Sequence, residues 1–156
     1  MAIEVGKPAP AFSLLNKSRE RLTQESFPGK HIVLAFYPLA FTGGCTSEMQ
    51  AFRDTSYRFD KANAQVLGVS VDSWAAAGEF QEKLGAEFPL VSDFPKNETG
   101  KAFEVYNEAA GIHGRTTVVI DKDGIVRSVF SEARDFTAHP IAALEALKEL
   151  GEDTSE

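Results

Sequence analysis

The chain has 156 residues, 43% of them hydrophobic and 25% charged, which suits one soluble globular domain with its own core. Its formal net charge of −7 argues against a nucleic-acid partner, which would need a basic face, and against docking on anionic membranes. No run approaches the roughly 18 apolar residues that span a bilayer, and the opening residues lack the basic start and apolar stretch of a signal peptide, so the expected location is the cytoplasm.

A short N-terminal hairpin is followed by His31-Ile32-Val33-Leu34-Ala35-Phe36, a β-branched apolar run bounded by Gly29 and Pro38 that reads as a buried strand. A helix is expected from about Cys45 to Ala62, with Cys45, Met49, Phe52 and Phe59 on one face. Val66 to Val71 reads as a second buried strand. The next helix, carrying Phe80 and Leu84, would be capped by Asp72 or Ser73. Pro89 to Ser92 forms a short strand, and Asn97 is placed to cap a helix bearing Ala102, Phe103 and Tyr106. Arg115–Ile120 and Ile125–Phe130 read as strands joined at Lys122-Asp123-Gly124, a hairpin signal. Pro140 opens a last helix with Ile141, Leu144 and Leu147 facing inward. This order predicts an α/β fold with a central mixed sheet, helices on both faces and a thioredoxin-like arrangement. Residues 1–150 make up the domain, and the polar, acidic tail 151–156 is expected to fray.

The chemistry concentrates in Phe36-Tyr37-Pro38-Leu39-Ala40-Phe41-Thr42-Gly43-Gly44-Cys45-Thr46-Ser47-Glu48. A strand ends, a glycine-bearing loop follows, and a helix starts near the chain's one cysteine. In an open α/β sheet, sites form beyond the carboxyl ends of strands. Unpaired N–H groups and the positive end of the helix dipole favour thiolate there. Gly43 and Gly44 allow close backbone approach. Thr42 brings a hydroxyl three residues before the sulfur. The competing reading is that Cys45 only packs, as free cysteines often do. A lone cysteine excludes an intramolecular disulfide and multi-cysteine zinc sites, and no paired-histidine spacing suggests another metal. A phosphate loop lacks its Gly-Lys-Ser/Thr. A phosphatase loop lacks a nearby arginine, since residue 51 is Ala and the first arginine is Arg53.

Pro38-x-x-x-Thr42-x-x-Cys45 resembles the active-site signature of the peroxiredoxins, the AhpC/TSA family. Phe36-Tyr37-Pro38-Leu39-Ala40-Phe41-Thr42 is similar to the AhpE-like one-cysteine branch. Val5 to Phe12, Phe88 to Asp93 and Gly111 to Asp121 resemble further family segments, so the likeness runs through most of the chain. It implies a thiol-dependent peroxidase acting on hydrogen peroxide, organic hydroperoxides or peroxynitrite. Cys45 would be the peroxidatic cysteine, Thr42 the hydroxyl that contacts the peroxide, and Pro38 the shield over the sulfur. Arg115 would lie beside the thiolate, oriented by Glu48, and Gly44 would contribute to substrate binding. No resolving cysteine is present; Gln50 stands where some relatives carry one. An external thiol is therefore implied, either a small thiol or a thioredoxin- or glutaredoxin-like protein, with no bound cofactor. The likeness also implies a homodimer or larger homo-oligomer.

Ionisation alone does not account for such a reaction. A thiol near 8.5 is about 3% ionised at pH 7 and one near 6 about 90%, but the lower basicity returns roughly a tenfold loss of nucleophilicity. Most of the rate must come from donors to the leaving oxygen, each worth about 3 kcal/mol in a dry site. Arg115, Thr42 and the N–H groups of Gly44 and Cys45 are the candidates. Plainer readings stand beside these: Arg115 as a solvated arginine and Glu48 as a first-turn helix acid. His31, His113 and His139 read as structural, and Tyr37, Phe41 and Phe52 as core or pocket walls. The alternative functions are a Cys-dependent hydrolase, a disulfide exchanger weakened by the lack of Cys-x-x-Cys, and a thioredoxin-like module without peroxidase activity.

Overall fold

A computed structural model describes residues 3–132 and 134–156. The fold is organised by β3, His31–Phe36, buried at every position. Successive side chains of a strand point to opposite faces. Val33 and Ala35, continued by Tyr37, enter one apolar cluster, and Ile32, Leu34 and Phe36 enter another. A strand covered on both faces has no polar alternation, so the run is continuously apolar from Ile32 onward.

β3 pairs in parallel with β4, Ala64–Ser70, and β4 pairs in parallel with β5, Leu90–Ser92. On its other side β3 meets β8, Thr116–Ile120, antiparallel, and β8 continues into β9, Val126–Ser131. The N-terminal hairpin, β1 Leu14–Leu15 with β2 Arg21–Leu22, adds to the edge of β5. The resulting seven-stranded order is β2-β1-β5-β4-β3-β8-β9, a mixed sheet with the expected thioredoxin-like centre. Helices α1 Gly43–Asp54, α2 Ser56–Lys61, α3 Trp74–Leu84 and α5 Ala138–Glu149 cover one face through Met49, Phe52, Phe59, Phe80, Leu144 and Leu147. The short α4, Glu98–Ala102, with Phe103 and the N-terminal segment through Phe12 and Leu14, covers the other.

Several local expectations are corrected in the helices. The helix expected over 45–62 begins two residues earlier and is broken at Thr55. The Thr55 hydroxyl donates back to Ala51 O at 2.8 Å, the competition with the helix ladder that Thr offers. Tyr106 lies outside α4. The chain leaves the helix through Phe103 and a left-handed Glu104 (φ 60°), and Tyr106–Asn107 pairs with Ile112–His113 as the small ribbon β6–β7. Asn97 itself is left-handed (φ 55°) and its side chain makes no capping bond. Pro140 is the third residue of α5, where its missing N–H still costs no helical bond. Ile141, one residue off the inward stripe of Pro140, Ala143, Leu144 and Leu147, is 52% exposed. The acidic tail has partners along its length. Glu152 meets His31 Nε2 at 2.6 Å, Arg58 Nε donates to Thr154 O at 2.9 Å, and Lys61 Nζ donates to Ser155 Oγ at 2.9 Å.

The interval between α1 and the sheet is closed at Gly68 of β4. A Cβ there would overlap Leu90 Cδ2 and lie 3.1 Å from Met49 Sδ, and both neighbours are fully buried. Gly68→Ala is expected to destabilise the protein by about 1–3 kcal/mol, the usual cost of overpacking. It should lower the urea midpoint without changing the slope. An unchanged midpoint would mean that Leu90 finds room to turn aside.

Candidate active site

Pro38 ends the β3 run and, with no N–H of its own, cannot extend the ladder. The chain turns through Leu39, Ala40 and Phe41, which adopts a left-handed φ of 65°. Thr42 then has the extended backbone of an N-cap, but its hydroxyl does not cap. It donates instead to Leu39 O at 2.8 Å, leaving the oxygen's two lone pairs as acceptors. Cys45 is the third residue of α1, in the turn where backbone N–H groups lack helical partners. Its side chain points inward and is 1% exposed.

Two donors reach the sulfur. Leu39 N–H lies 3.5 Å from Sγ, and Arg115 Nη2 lies 3.6 Å from it. Glu48, one helical turn after Cys45 and fully buried, accepts from Arg115 Nη1 at 2.5 Å. Pairing explains how both charges tolerate burial; either alone would be costly. The ring of Phe136 lies 4.8 Å from the guanidinium carbon, a cation–π arrangement that suits a planar cation. Gly44 permits this packing: a Cβ there would come 2.8 Å from Phe136 Cζ and 3.1 Å from Arg115 Nη2. Arg115 Nε is buried and has no partner among the described residues.

Sequence-predicted residues Cys45, Glu48, Arg115 and Gly44 are thus brought into one cluster. Pro38 and Thr42 lie on the loop whose Leu39 N–H touches the sulfur. Tyr37 and Phe52 are buried walls, whereas Phe41 is 55% exposed, its ring 5.1 Å from that of Phe80. Phe136, the Leu39 N–H and His139 were not singled out for the site. Phe136 and Leu39 lie in loops, where side-chain periodicity carries no signal.

Burial, offset in part by Arg115, pushes the Glu48 carboxyl up to about 7. His139 Nδ1 comes within 3.9 Å of Glu48 Oε2, but the two do not form an ion pair. Burial lowers the His139 pKa, with Arg115 adding to the effect against the Glu132 carbonyl, so the ring is neutral at pH 7. Both its nitrogens are engaged, Nδ1 with the Thr117 hydroxyl at 2.8 Å and Nε2 with Glu132 O at 2.7 Å. His113 packs against Phe36, in the apolar cluster on the other face, and approaches Asp93 at 3.1 Å. Neither histidine is set beside the sulfur as a base.

The Glu48 shift has a measurable sign. Between about pH 4.5, the ordinary value, and about 7, the folded protein holds a proton at Glu48 that the unfolded chain has released. Stability from this group therefore falls as pH rises through that window. His139 acts oppositely, because the unfolded ring protonates below about 6.5. The difference between Glu48→Gln and wild type isolates Glu48. It should move in the variant's favour by up to about 3 kcal/mol from pH 4.5 to 7, as followed by urea denaturation. A difference constant across that window would show Glu48 ionised throughout, held as carboxylate by Arg115.

The AhpC/TSA family model matches residues 5–129. Alkyl hydroperoxide reductase E of Mycobacterium bovis is 37% identical over 127 residues, spanning 80% of this chain and 83% of that protein. Among solved structures, the peroxidoxin BcpB of Mycobacterium tuberculosis superposes with a TM-score of 0.88 at 30% identity, covering 95% of this chain and 98% of that one. The bacterioferritin comigratory protein of Xanthomonas campestris, studied for alkyl peroxide reduction, gives a TM-score of 0.82 at 30% identity over 94% and 99%. With a buried cysteine at a helix start, faced by an arginine paired to a buried glutamate, the chain belongs to the AhpC/TSA family of peroxiredoxins, the thiol-dependent peroxidases.

Proposed function

We propose that this peroxidase works by a one-cysteine mechanism centred on Cys45. The thiolate attacks one oxygen of a hydroperoxide, the O–O bond breaks, and the departing alkoxide or hydroxide takes up a proton as alcohol or water. The sulfur is left as sulfenic acid. Two equivalents of an external thiol then reduce it, releasing water and a disulfide and restoring the thiol. The single observation that carries the reading is the convergence of Leu39 N–H and Arg115 on the sulfur of the chain's one cysteine. Such donors can follow charge as it moves from sulfur to the leaving oxygen.

Hydrogen peroxide and organic hydroperoxides are the proposed oxidants, with peroxynitrite a further candidate. A small thiol or a thioredoxin- or glutaredoxin-like protein is the proposed reductant, and no bound cofactor is required. A lone free cysteine suits the reducing cytoplasm, and no helix among the described residues is long and apolar enough to cross a membrane. A homodimer or larger homo-oligomer is the proposed assembly. The hydrolase alternative lacks a base at the sulfur, since His139 is engaged at both nitrogens and His113 packs on the other face of the sheet.

Cys45→Ser is expected to fold and to lose peroxidase turnover completely. Treatment of the wild-type protein with one equivalent of peroxide should raise the chain mass by one oxygen, with further oxygens at excess. Turnover by the serine variant above a few per cent, or a stable thioester without an oxygen adduct, would overturn the assignment.

Arg115→Lys separates charge from geometry. Lys keeps the charge but not the planar set of donors that reaches Glu48 and Cys45 together. The second-order rate of oxidation is expected to fall about ten- to a thousandfold, the range for one transition-state donor. The thiolate fraction, read by ultraviolet absorbance, should change far less. Slowing fully matched by a loss of thiolate would assign Arg115 to ionisation alone.

A further inference from the structure

We propose that Asp72 is a positioning residue for the peroxide reaction, setting the Leu39–Ala40 peptide, whose carbonyl holds the Thr42 hydroxyl and which directly follows the Leu39 N–H aimed at the sulfur. The proposal rests on the peroxidase reading of Cys45 and concerns a carboxylate outside the Pro38–Cys45 segment.

The loop between β3 and α1 is held at one peptide group. On one side of that group, Leu39 O accepts from the Thr42 hydroxyl at 2.8 Å. On the other, Ala40 N–H donates to Asp72 Oδ2 at 2.8 Å. The preceding N–H, that of Leu39, is the one aimed at Cys45 Sγ. Rotation of the Leu39–Ala40 peptide would withdraw the acceptor of the Thr42 hydroxyl, and any part of it taken up at Leu39 would turn the adjoining N–H away from the sulfur. The bond from Asp72 opposes that rotation.

Asp72 is itself anchored to the sheet. Its Oδ2 also accepts from the Ser70 hydroxyl at 2.7 Å, its N–H donates to Ser70 Oγ at 3.3 Å, and its carbonyl accepts from the Ser92 hydroxyl at 2.5 Å. Ser70 and Ser92 are buried and face each other in register on β4 and β5. The helix that follows does not use Asp72, because Ser73 caps it by accepting from Ala76 N–H at 3.2 Å. The carboxylate is thus committed to the loop across from it. A hydrogen bond to an ionised acceptor is roughly twice as strong as a neutral one. Polarising the Leu39–Ala40 amide also strengthens Leu39 O as the acceptor for Thr42.

The clamp predicts a loss specific to peroxide. Asp72→Ala should lower the second-order rate of Cys45 oxidation about ten- to a hundredfold, the scale of a misplacement near 1 Å. Alkylation of Cys45 by iodoacetamide requires thiolate and access but no fixed peroxide geometry, and it should hold or rise as the loop loosens. Asp72→Asn keeps an uncharged acceptor for Ala40 N–H and should recover the oxidation rate to within about fivefold, the loss of one charge-assisted increment. Wild-type oxidation rates in Asp72→Ala, or oxidation and alkylation slowed by the same factor, would overturn the proposal. The wild-type protein gives a test that no variant's folding affects: the Ala40 amide should exchange with deuterium at least about tenfold more slowly than the Phe41 amide beside it. Equal exchange at the two would remove the clamp. If wild-type Cys45 gave no sulfenic acid with peroxide, the peroxidase reading would fail instead, and the exchange result would stand apart from it.

Discussion

A guanidinium buried among apolar groups is the constraint on which the site depends. The Arg115 side chain is 10% exposed and its charge must be answered inside the protein. Glu48 answers it from α1, and the same turn of that helix carries Cys45. The ion pair therefore ties the strand entering β8 to the helix bearing the sulfur, two segments 67 residues apart. Phe136, from the loop before α5, lies over the cation and draws a third segment to the same point. Gly44 is the backbone position that leaves room for all of this. The energetic sense of such a pair is more specific than stabilising. A well-packed apolar replacement would often be as stable, but it would place no donor at the sulfur.

The sheet was legible where burial is two-sided. His31 to Phe36 and Val66 to Val71 are short apolar runs between turn residues, and β3 and β4 lie within a residue or two of them. The helix on Cys45, Met49 and Phe52 followed from spacing, but its break did not, because the hydroxyl of Thr55 competes for the helix's own carbonyls and leaves the apolar stripe uninterrupted. The β6–β7 ribbon is two residues wide on each side, too short for any alternation to register. At the final helix Pro140 marks the first turn and not the first residue, because the whole first turn tolerates a missing N–H.

The site divides the same way. Cys45 and Glu48 are three apart on a helix, so their common face is a matter of period. Arg115 entered through likeness to a known family, since nothing in the spacing of a residue 70 positions away points to Cys45. Asp72 and Ser73 are equally plausible caps for α3 from their position in the sequence. The structure gives that role to Ser73 and leaves the Asp72 carboxylate facing the loop, a choice between adjacent polar residues that composition does not decide. Phe136 and the Leu39 N–H belong to irregular chain and to backbone, which side-chain patterns do not describe.

The loop over Cys45 sets two half-reactions against each other. Oxidation asks little of access: the terminal oxygens of a hydroperoxide are small, and a stiff loop that keeps donors aligned favours them. Regeneration brings a second sulfur to the sulfenic group in line with its S–O bond, and a cysteine only 1% exposed offers no such line of approach to a protein thiol. The loop must yield before the reductant can reach it. A loop stiff enough to sharpen the first step would retard the second, and the resting balance between reduced and oxidised enzyme would then depend on how readily Leu39 and Ala40 let go as well as on how reactive the incoming thiol is.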